Sequence, residues 1–223
     1  MLPKARIVRV LLCTLVLVST FFLIPAATPA QARESVPVVL PDFEQFVTSV
    51  ADGEGGIVRG VYVPGLFASR VLQQPANDPG YVSPIDGILT EFGPVKKYGN
   101  VGLLAHNYLT GKSFASLAPG QEIRIVYGDG KVEYFAVDEI LRFQALEPDS
   151  AYSNFIDLDT GKEISSSILF QTVYAGQRHV TFQTCIYADG IYSWGRLFVV
   201  AVPALVSPNT INGYSLMREA ANR

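Results

Sequence analysis

Apolar residues at Phe43, Phe46, Val47 and Val50 repeat at the i, i+3, i+4, i+7 spacing of one helix face. Asp42 stands where an N-cap belongs, with Gln45 three residues on, so a short helix is expected there and Gly53, Gly55 and Gly56 end it. From Ile57 the pattern changes to that of strands and turns. Residues 57–63 and 101–105 read as strands, the second entered through Tyr98-Gly99-Asn100. Residues 122–127 and 132–137 flank Gly128-Asp129-Gly130, a hairpin signal because glycine admits the positive φ of tight turns. Residues 138–146 read as a further strand, and 165–174 stays open between a short helix and a strand, flanked from 147 to 162 by polar and turn residues. The last two patterns, 179–185 and 194–202, are β-branched and apolar. Many short strands with few helical stretches predict an all-β barrel or sandwich, and barrel closure removes exposed edges.

The first residues follow a different logic. Lys4, Arg6 and Arg9 precede an apolar run over 10–24, which Pro25 closes before Ala30-Gln31-Ala32. That is a basic n-region, an h-region and an A-x-A-like cleavage site, so residues 1–32 read as a signal peptide cleaved after Ala32, or as a retained membrane anchor. The run is shorter than the roughly 20 residues a span needs. The expected division is therefore a leader at 1–32, a tether with a short helix at 33–57, a barrel at 58–205 and a tail at 206–223. Of the 223 residues 49% are hydrophobic and 17% charged, enough to bury one substantial core. A net charge of -3 argues against a nucleic-acid or anionic-membrane partner.

Cys13 falls in the leader, so the folded part holds a single cysteine, Cys185, which cannot form an internal disulfide. A lone thiol in an exported chain is a candidate reactive group; it is also what a small buried hydrophobe looks like. If 179–185 and 194–202 pair as a hairpin, the closing end of the first strand lies beside the opening end of the second, which sets Cys185 next to Arg196. A cationic neighbour favours the thiolate, the form that reacts. Arg196 also reads as a solvated cap at a strand end. A thiol nucleophile needs a base, and the chain has two histidines. His179 lies on the same strand as Cys185, and at about 3.3 Å per residue the two are roughly 20 Å apart. His179 is therefore expected at the surface or rim. His106 ends the apolar strand 101–105 and opens Asn107-Tyr108-Leu109, a position suited to a catalytic group on a scaffold-held loop, or to a structural histidine bonding its neighbours.

At these residues the chain resembles the sortases. Leu103-Leu-Ala-His106-Asn-Tyr-Leu, Phe114-Ala-Ser-Leu117-Ala-Pro-Gly120, Thr181-Phe-Gln-Thr-Cys185 and Arg196-Leu-Phe-Val-Val-Ala201 carry the likeness, which covers roughly residues 58–204. The resemblance implies a closed eight-stranded β-barrel with short helices and an N-terminal helical segment. It implies catalytic roles for His106, Cys185 and Arg196 in a cysteine transpeptidase on the outer side of the cell envelope, secreted or membrane-anchored. It also implies exported protein substrates bearing a sorting motif, an amine acceptor (a cell-wall peptide or another protein), no nucleic acid and no cofactor. Residues 146–178 correspond to the loop that shapes the substrate groove in that family and are its least similar part.

Readings from other classes remain. An L,D-transpeptidase sets its cysteine in a Ser-x-Gly-Cys-type segment, unlike Gln183-Thr184-Cys185, and a papain-like peptidase orders cysteine before histidine. One cysteine and two histidines do not make a structural zinc site. Asp157-Leu-Asp159-Thr-Gly161 opens like a calcium loop, but Lys162 and Ile168 stand where that loop needs glycine and glutamate, so an ordinary turn is expected. A hydrolytic peptidase of the same type, or an envelope barrel that binds a peptide without cleaving it, fits the sequence too.

Overall fold

The computed structural model describes residues 39–204. The leader at 1–32, the start of the tether and the tail at 206–223 lie outside the described residues. The strands are β1 (Val58–Val63), β2 (Phe67–Gln73), β3 (Ile88–Glu91), β4 (Val101–Leu104), β5 (Glu122–Tyr127), β6 (Val132–Ala145), β7 (Phe155–Asp157), β8 (Glu163–Ile164), β9 (Val180–Ala188) and β10 (Ile191–Pro203); the α-helices are α1 (Phe43–Val50) and α2 (Ser166–Tyr174). The strands run in the order β10-β9-β4-β3-β2-β1-β5-β6, and β6 pairs back onto β10. Eight strands thus close a barrel, which leaves this ring no free edge, while β7 and β8 continue the sheet outward from β6. The β2–β3 and β4–β9 pairs are parallel and the others antiparallel.

Alternate side chains fill the barrel, as the period of two requires. Val101 and Leu103 of β4, Val180 and Phe182 of β9, and Leu197, Val199 and Ala201 of β10 belong to this core. The rings of Phe67, Phe114 and Phe182 meet there, with Phe114 and Phe182 5.1 Å apart edge to face. The intervening residues face outward. Phe143 of β6 and Phe198 of β10 form a second core with Phe155 of β7 and with Leu169, Val173 and Tyr174 of α2. That burial decides the segment left open in the sequence: Leu169 and Val173 share one helix face, and Ser165 caps the helix by accepting from the Ile168 N–H.

Helix α1 starts at Asp42, whose carboxylate accepts from the Glu44 and Gln45 N–H groups, and buries Phe46 and Val50 against Val126. Tyr62 donates to the Pro41 carbonyl and ties the segment before α1 to β1. Residues 132–145, which alternation divides at Val137, form one strand: Val137 pairs with Ala201 and Glu139 with Val200, so Asp138 bulges out of the β6–β10 ladder. Asp157 caps an ordinary turn between β7 and β8, accepting from the Asp159 and Thr160 N–H groups, and these bonds hold its carboxyl below the usual range.

Candidate active site

Strand β9 is the middle of three strands that carry the sequence candidates. Its link to β10 is the two-residue turn Asp189-Gly190, with φ of 52° and 78°, the positive pair that a type I′ hairpin needs. From that turn Ala188 pairs with Ile191, yet Ile186 pairs with Gly195, so three residues of β10, Tyr192 to Trp194, span the distance covered by Tyr187 alone on β9. This bulge advances the register by two. Without it, counting from the turn sets Arg196 opposite Gln183; with it, Arg196 lies directly opposite Cys185. Because the shift is even, both side chains keep the outer face of the barrel, the face away from Phe182 and Leu197.

His106 reaches the same row from the other side. Strands β4 and β9 run parallel with Leu104 beside Gln183, and the pairing continues past the end of β4 through the Ala105 N–H, which donates to Gln183 O at 3.3 Å. His106 is the next residue, where the chain leaves the β9 ladder. The buried Thr184 hydroxyl fixes this join by donating to Ala105 O at 2.8 Å. The chain then turns: Leu109 and Gly111 N–H both donate to His106 O, at 3.0 and 3.1 Å. Gly111 is forced by the closeness of that turn, since a Cβ there would stand 2.5 Å from Thr184 Oγ1 and 2.6 Å from His106 O. His106, Cys185 and Arg196 are each partly exposed.

The guanidinium of Arg196 is held by backbone. Nη1 donates to Ser193 O (2.8 Å) and Gly195 O (2.9 Å), and Nη2 to Pro148 O (3.2 Å). These acceptors are neutral, and among the described residues no carboxylate pairs with Arg196, so its charge stands uncompensated beside Cys185. Of its five N–H groups these bonds use three, leaving two for a bound group. Below Arg196 a groove of about 250 Å³ runs over the outer face of the barrel, lined by Gln183, Phe198, Phe155, Leu169 and Tyr174 among others. Burial pushes the Tyr174 phenol far above its ordinary range, and it donates to Gln183 Oε1 as a neutral hydroxyl. The groove is mostly apolar with one charged end, a shape suited to an extended peptide whose carbonyl meets Arg196.

His179 is corrected from the rim to the interior. It is 7% exposed, and its two ring nitrogens meet Gln177 O at 2.7 Å and Val173 O at 3.1 Å, while Asn100 Oδ1 accepts from its backbone N–H. Distance along the strand separates it from Cys185 as expected, but α2 and the segment after it cover the start of β9. The same end of the barrel holds Arg178, which donates to Gly99 O, Tyr127 and Glu133. Burial raises the Glu133 carboxyl, but hydrogen bonds from Arg178, Lys131 and Tyr127 outweigh it and hold the group at about 2. Burial pushes Glu91 above its usual range, with Gln73 and Lys96 opposing.

Sequence patterning missed two sets of residues around the site. Thr184 and Gly111 were visible only as a strand residue and a turn residue. The second set is aromatic: the His106 and Tyr108 rings stack at 5.1 Å, Tyr108 meets Tyr192 edge-on at 5.9 Å, and Tyr192 meets Tyr187 at 5.0 Å. Asn107 donates to Tyr192 O and joins the two loops. The available signal was a pair of tyrosines flanking an Asp-Gly turn.

No protein-family model and no curated protein matches the chain. It is similar to solved sortase structures. Sortase C from Clostridium perfringens shares 15% identity over 73% of this chain and 83% of that one, with a TM-score of 0.42. Sortase A from Listeria monocytogenes shares 14% over 73% and 97%, with a TM-score of 0.43. The Clostridium perfringens sortase C with the C-terminal cell wall sorting motif shares 16% over 73% and 83%, with a TM-score of 0.40. At such identities the roles of individual residues rest on their own geometry. The closed eight-stranded barrel with few short helices is the architecture that the sequence resemblance to sortases implies.

Proposed function

We propose that the protein is a sortase-like cysteine transpeptidase, which cleaves an exported protein at a sorting motif and transfers it to an amine acceptor at the cell envelope. What supports this reading is the pairing of Arg196 directly opposite Cys185, the bond from Ala105 N–H to Gln183 O that sets the residue before His106 against β9, and the apolar groove that Gln183 and Arg196 line. Cys185 Sγ attacks the scissile carbonyl carbon while the two remaining Arg196 N–H groups receive the oxygen. His106 gives a proton to the leaving amine as the C–N bond breaks, and a thioester remains. The acceptor amine then forms the new C–N bond, the C–S bond breaks and the thiol is restored.

The substrate class follows from the family resemblance and from the leader at 1–32, which directs the chain to the outer side of the membrane or holds it there. Among the described residues no helix is long and apolar enough to cross a membrane. The test incubates the protein with a library of peptides and triglycine and measures the peptide–triglycine conjugate. Wild type forms it, Cys185→Ala forms none at an unchanged melting temperature, and Arg196→Lys loses most of it, because lysine lacks the planar fork. Peptides that bind tightly to wild type without any conjugate or thioester replace this reading with the non-catalytic one.

A further inference from the structure

Gln183 lines the groove, and the steps proposed above make no use of its side chain. It precedes Cys185 by two residues on β9, so both side chains take the outer face of the barrel, and it pairs with Phe198 as Cys185 pairs with Arg196. A glutamine amide can present either its oxygen or its nitrogen. Tyr174 decides which: its phenol, kept neutral by burial, donates to Gln183 Oε1. Tyr174 is 2% exposed, and its ring is wedged among Phe92, Phe170 and Phe198 at centroid distances of 5.5, 5.1 and 6.2 Å, so this anchor is fixed. The other half of the amide is free. Gln183 Nε2 has no hydrogen-bond partner among the described residues, whereas every buried side-chain nitrogen and oxygen there has one, so Nε2 is open to solvent on the groove side. The neighbouring walls, Phe92, Phe155, Leu169 and Phe198, offer it no side-chain acceptor. A peptide laid over the groove strips the water from Nε2, and from then on only the peptide can accept its hydrogen bond.

We propose that Gln183 is a specificity-determining residue for the acyl half of the substrate, its Nε2–H donating to the backbone carbonyl two residues before the scissile one; this rests on the transpeptidase reading. The spacing carries the assignment. Successive outer-face residues of β9 are about 6.6 Å apart, and so are the carbonyls of residues i and i−2 in an extended peptide, which point to the same side. A scissile carbonyl seated between Cys185 and Arg196 therefore brings the second carbonyl to Gln183. The acyl half is the one concerned, because it stays on the protein while the leaving amine departs and the acceptor enters. Tyr174 acts through Gln183 as a positioning residue, turning the nitrogen rather than the oxygen of the amide toward the peptide. Such a site rejects an analogue that lacks the acceptor, because a desolvated donor is then left unpaired.

The experiment compares two acyl donors of equal length, the S-phenyl thioesters of N-acetylglycylglycine and of N-pentanoylglycine. The acetyl carbonyl of the first lies two positions before the reacting carbonyl, and the second has a methylene group in its place. Each donor acylates Cys185 as its own C–S bond breaks and thiophenolate leaves; the rate constants are read from thiophenol release, and the adduct is mapped by mass spectrometry. The ratio of the two constants, N-acetylglycylglycine over N-pentanoylglycine, is expected to fall about tenfold in Gln183→Leu, the size of one desolvated donor gained or lost. Gln183→Glu keeps an acceptor for Tyr174 but has no N–H, and its ratio falls as far. Tyr174→Phe frees the amide to turn, and its ratio falls part of the way. An unchanged ratio in Gln183→Leu or Gln183→Glu overturns the role of Gln183, and an unchanged ratio in Tyr174→Phe overturns the anchor, while the transpeptidase reading stands as long as triglycine resolves the Cys185 thioester into an amide. A wild-type protein that gains no thioester on Cys185 from either donor overturns both.

Discussion

Replacing Thr184 by valine should uncouple the two strands that bring His106 and Cys185 together. Valine matches threonine in shape, so the buried volume is kept and one hydrogen bond is lost, the 2.8 Å bond from Thr184 Oγ1 to Ala105 O. Thr184 is 5% exposed and Ala105 6%, so water does not replace it easily. Leaving a buried carbonyl without this donor costs about 1–3 kcal/mol. For a domain of this size each kcal/mol lowers the melting temperature by about 2–4 °C, so a fall of about 4–8 °C is expected for a cost near 2 kcal/mol. The same bond holds the residue before His106, and a misplacement on the order of 1 Å at a reacting group costs about 10²-fold in rate. Thermal unfolding followed by circular dichroism, with single-turnover thioester formation on the same samples, measures both effects. Thr184→Ser retains the hydroxyl and should retain most of the rate. A Thr184→Val protein that matches wild type in both measurements, or a Thr184→Ser protein as slow as Thr184→Val, would refute the idea that this bond sets the register.

The two histidines should separate cleanly. His179→Ala removes a buried ring held by a hydrogen bond to a backbone carbonyl, so it should destabilise by about 2 kcal/mol while its thioester chemistry survives, and His106→Ala should do the reverse, as paired melting and acylation assays report. Glu133 binds its proton at about 2 when folded and near 4.5 when unfolded. Its contribution is therefore complete above about 4.5 and is lost as pH falls toward 2, and Glu133→Gln should flatten that part of an acid-unfolding curve. Glu91 has the opposite sign: its raised value makes the folded state bind the proton more tightly, so wild type loses stability as the carboxyl ionises, and Glu91→Gln should be more stable than wild type at neutral pH with no such gain below the carboxyl's range. Gly111→Ala should destabilise and slow the reaction together, because its methyl group would meet Thr184 Oγ1 and His106 O.

The site was legible where local pattern decides and hidden where distant chain decides. The alternation in residues 179–185 and 194–202 was enough to place Cys185 near Arg196, because a hairpin joins neighbouring segments. The alternation carried no trace of the bulge at Tyr192 to Trp194, although that bulge supplies the register. His106 was harder: the strand beside it lies 79 residues further along the chain, and only the parallel β4–β9 pairing brings Ala105, the residue before it, against Thr184. Strands β2 and β3 gave weak signals, since Phe67–Gln73 includes Ser69 and an exposed Arg70, and Ile88–Glu91 is four residues long and ends on a carboxylate. His179 misled because a strand-opening histidine before an apolar run looks like a rim residue until α2 is packed over it.

The most direct test of the central claim is to trap the reaction on wild-type protein with a cleavable peptide and map the adduct by tandem mass spectrometry. The account predicts a thioester on Cys185 that triglycine resolves into a new amide, formed far more slowly in His106→Ala and Arg196→Lys and not at all in Cys185→Ala. An adduct on another residue, or one that forms at the wild-type rate without His106 and Arg196, would contradict it.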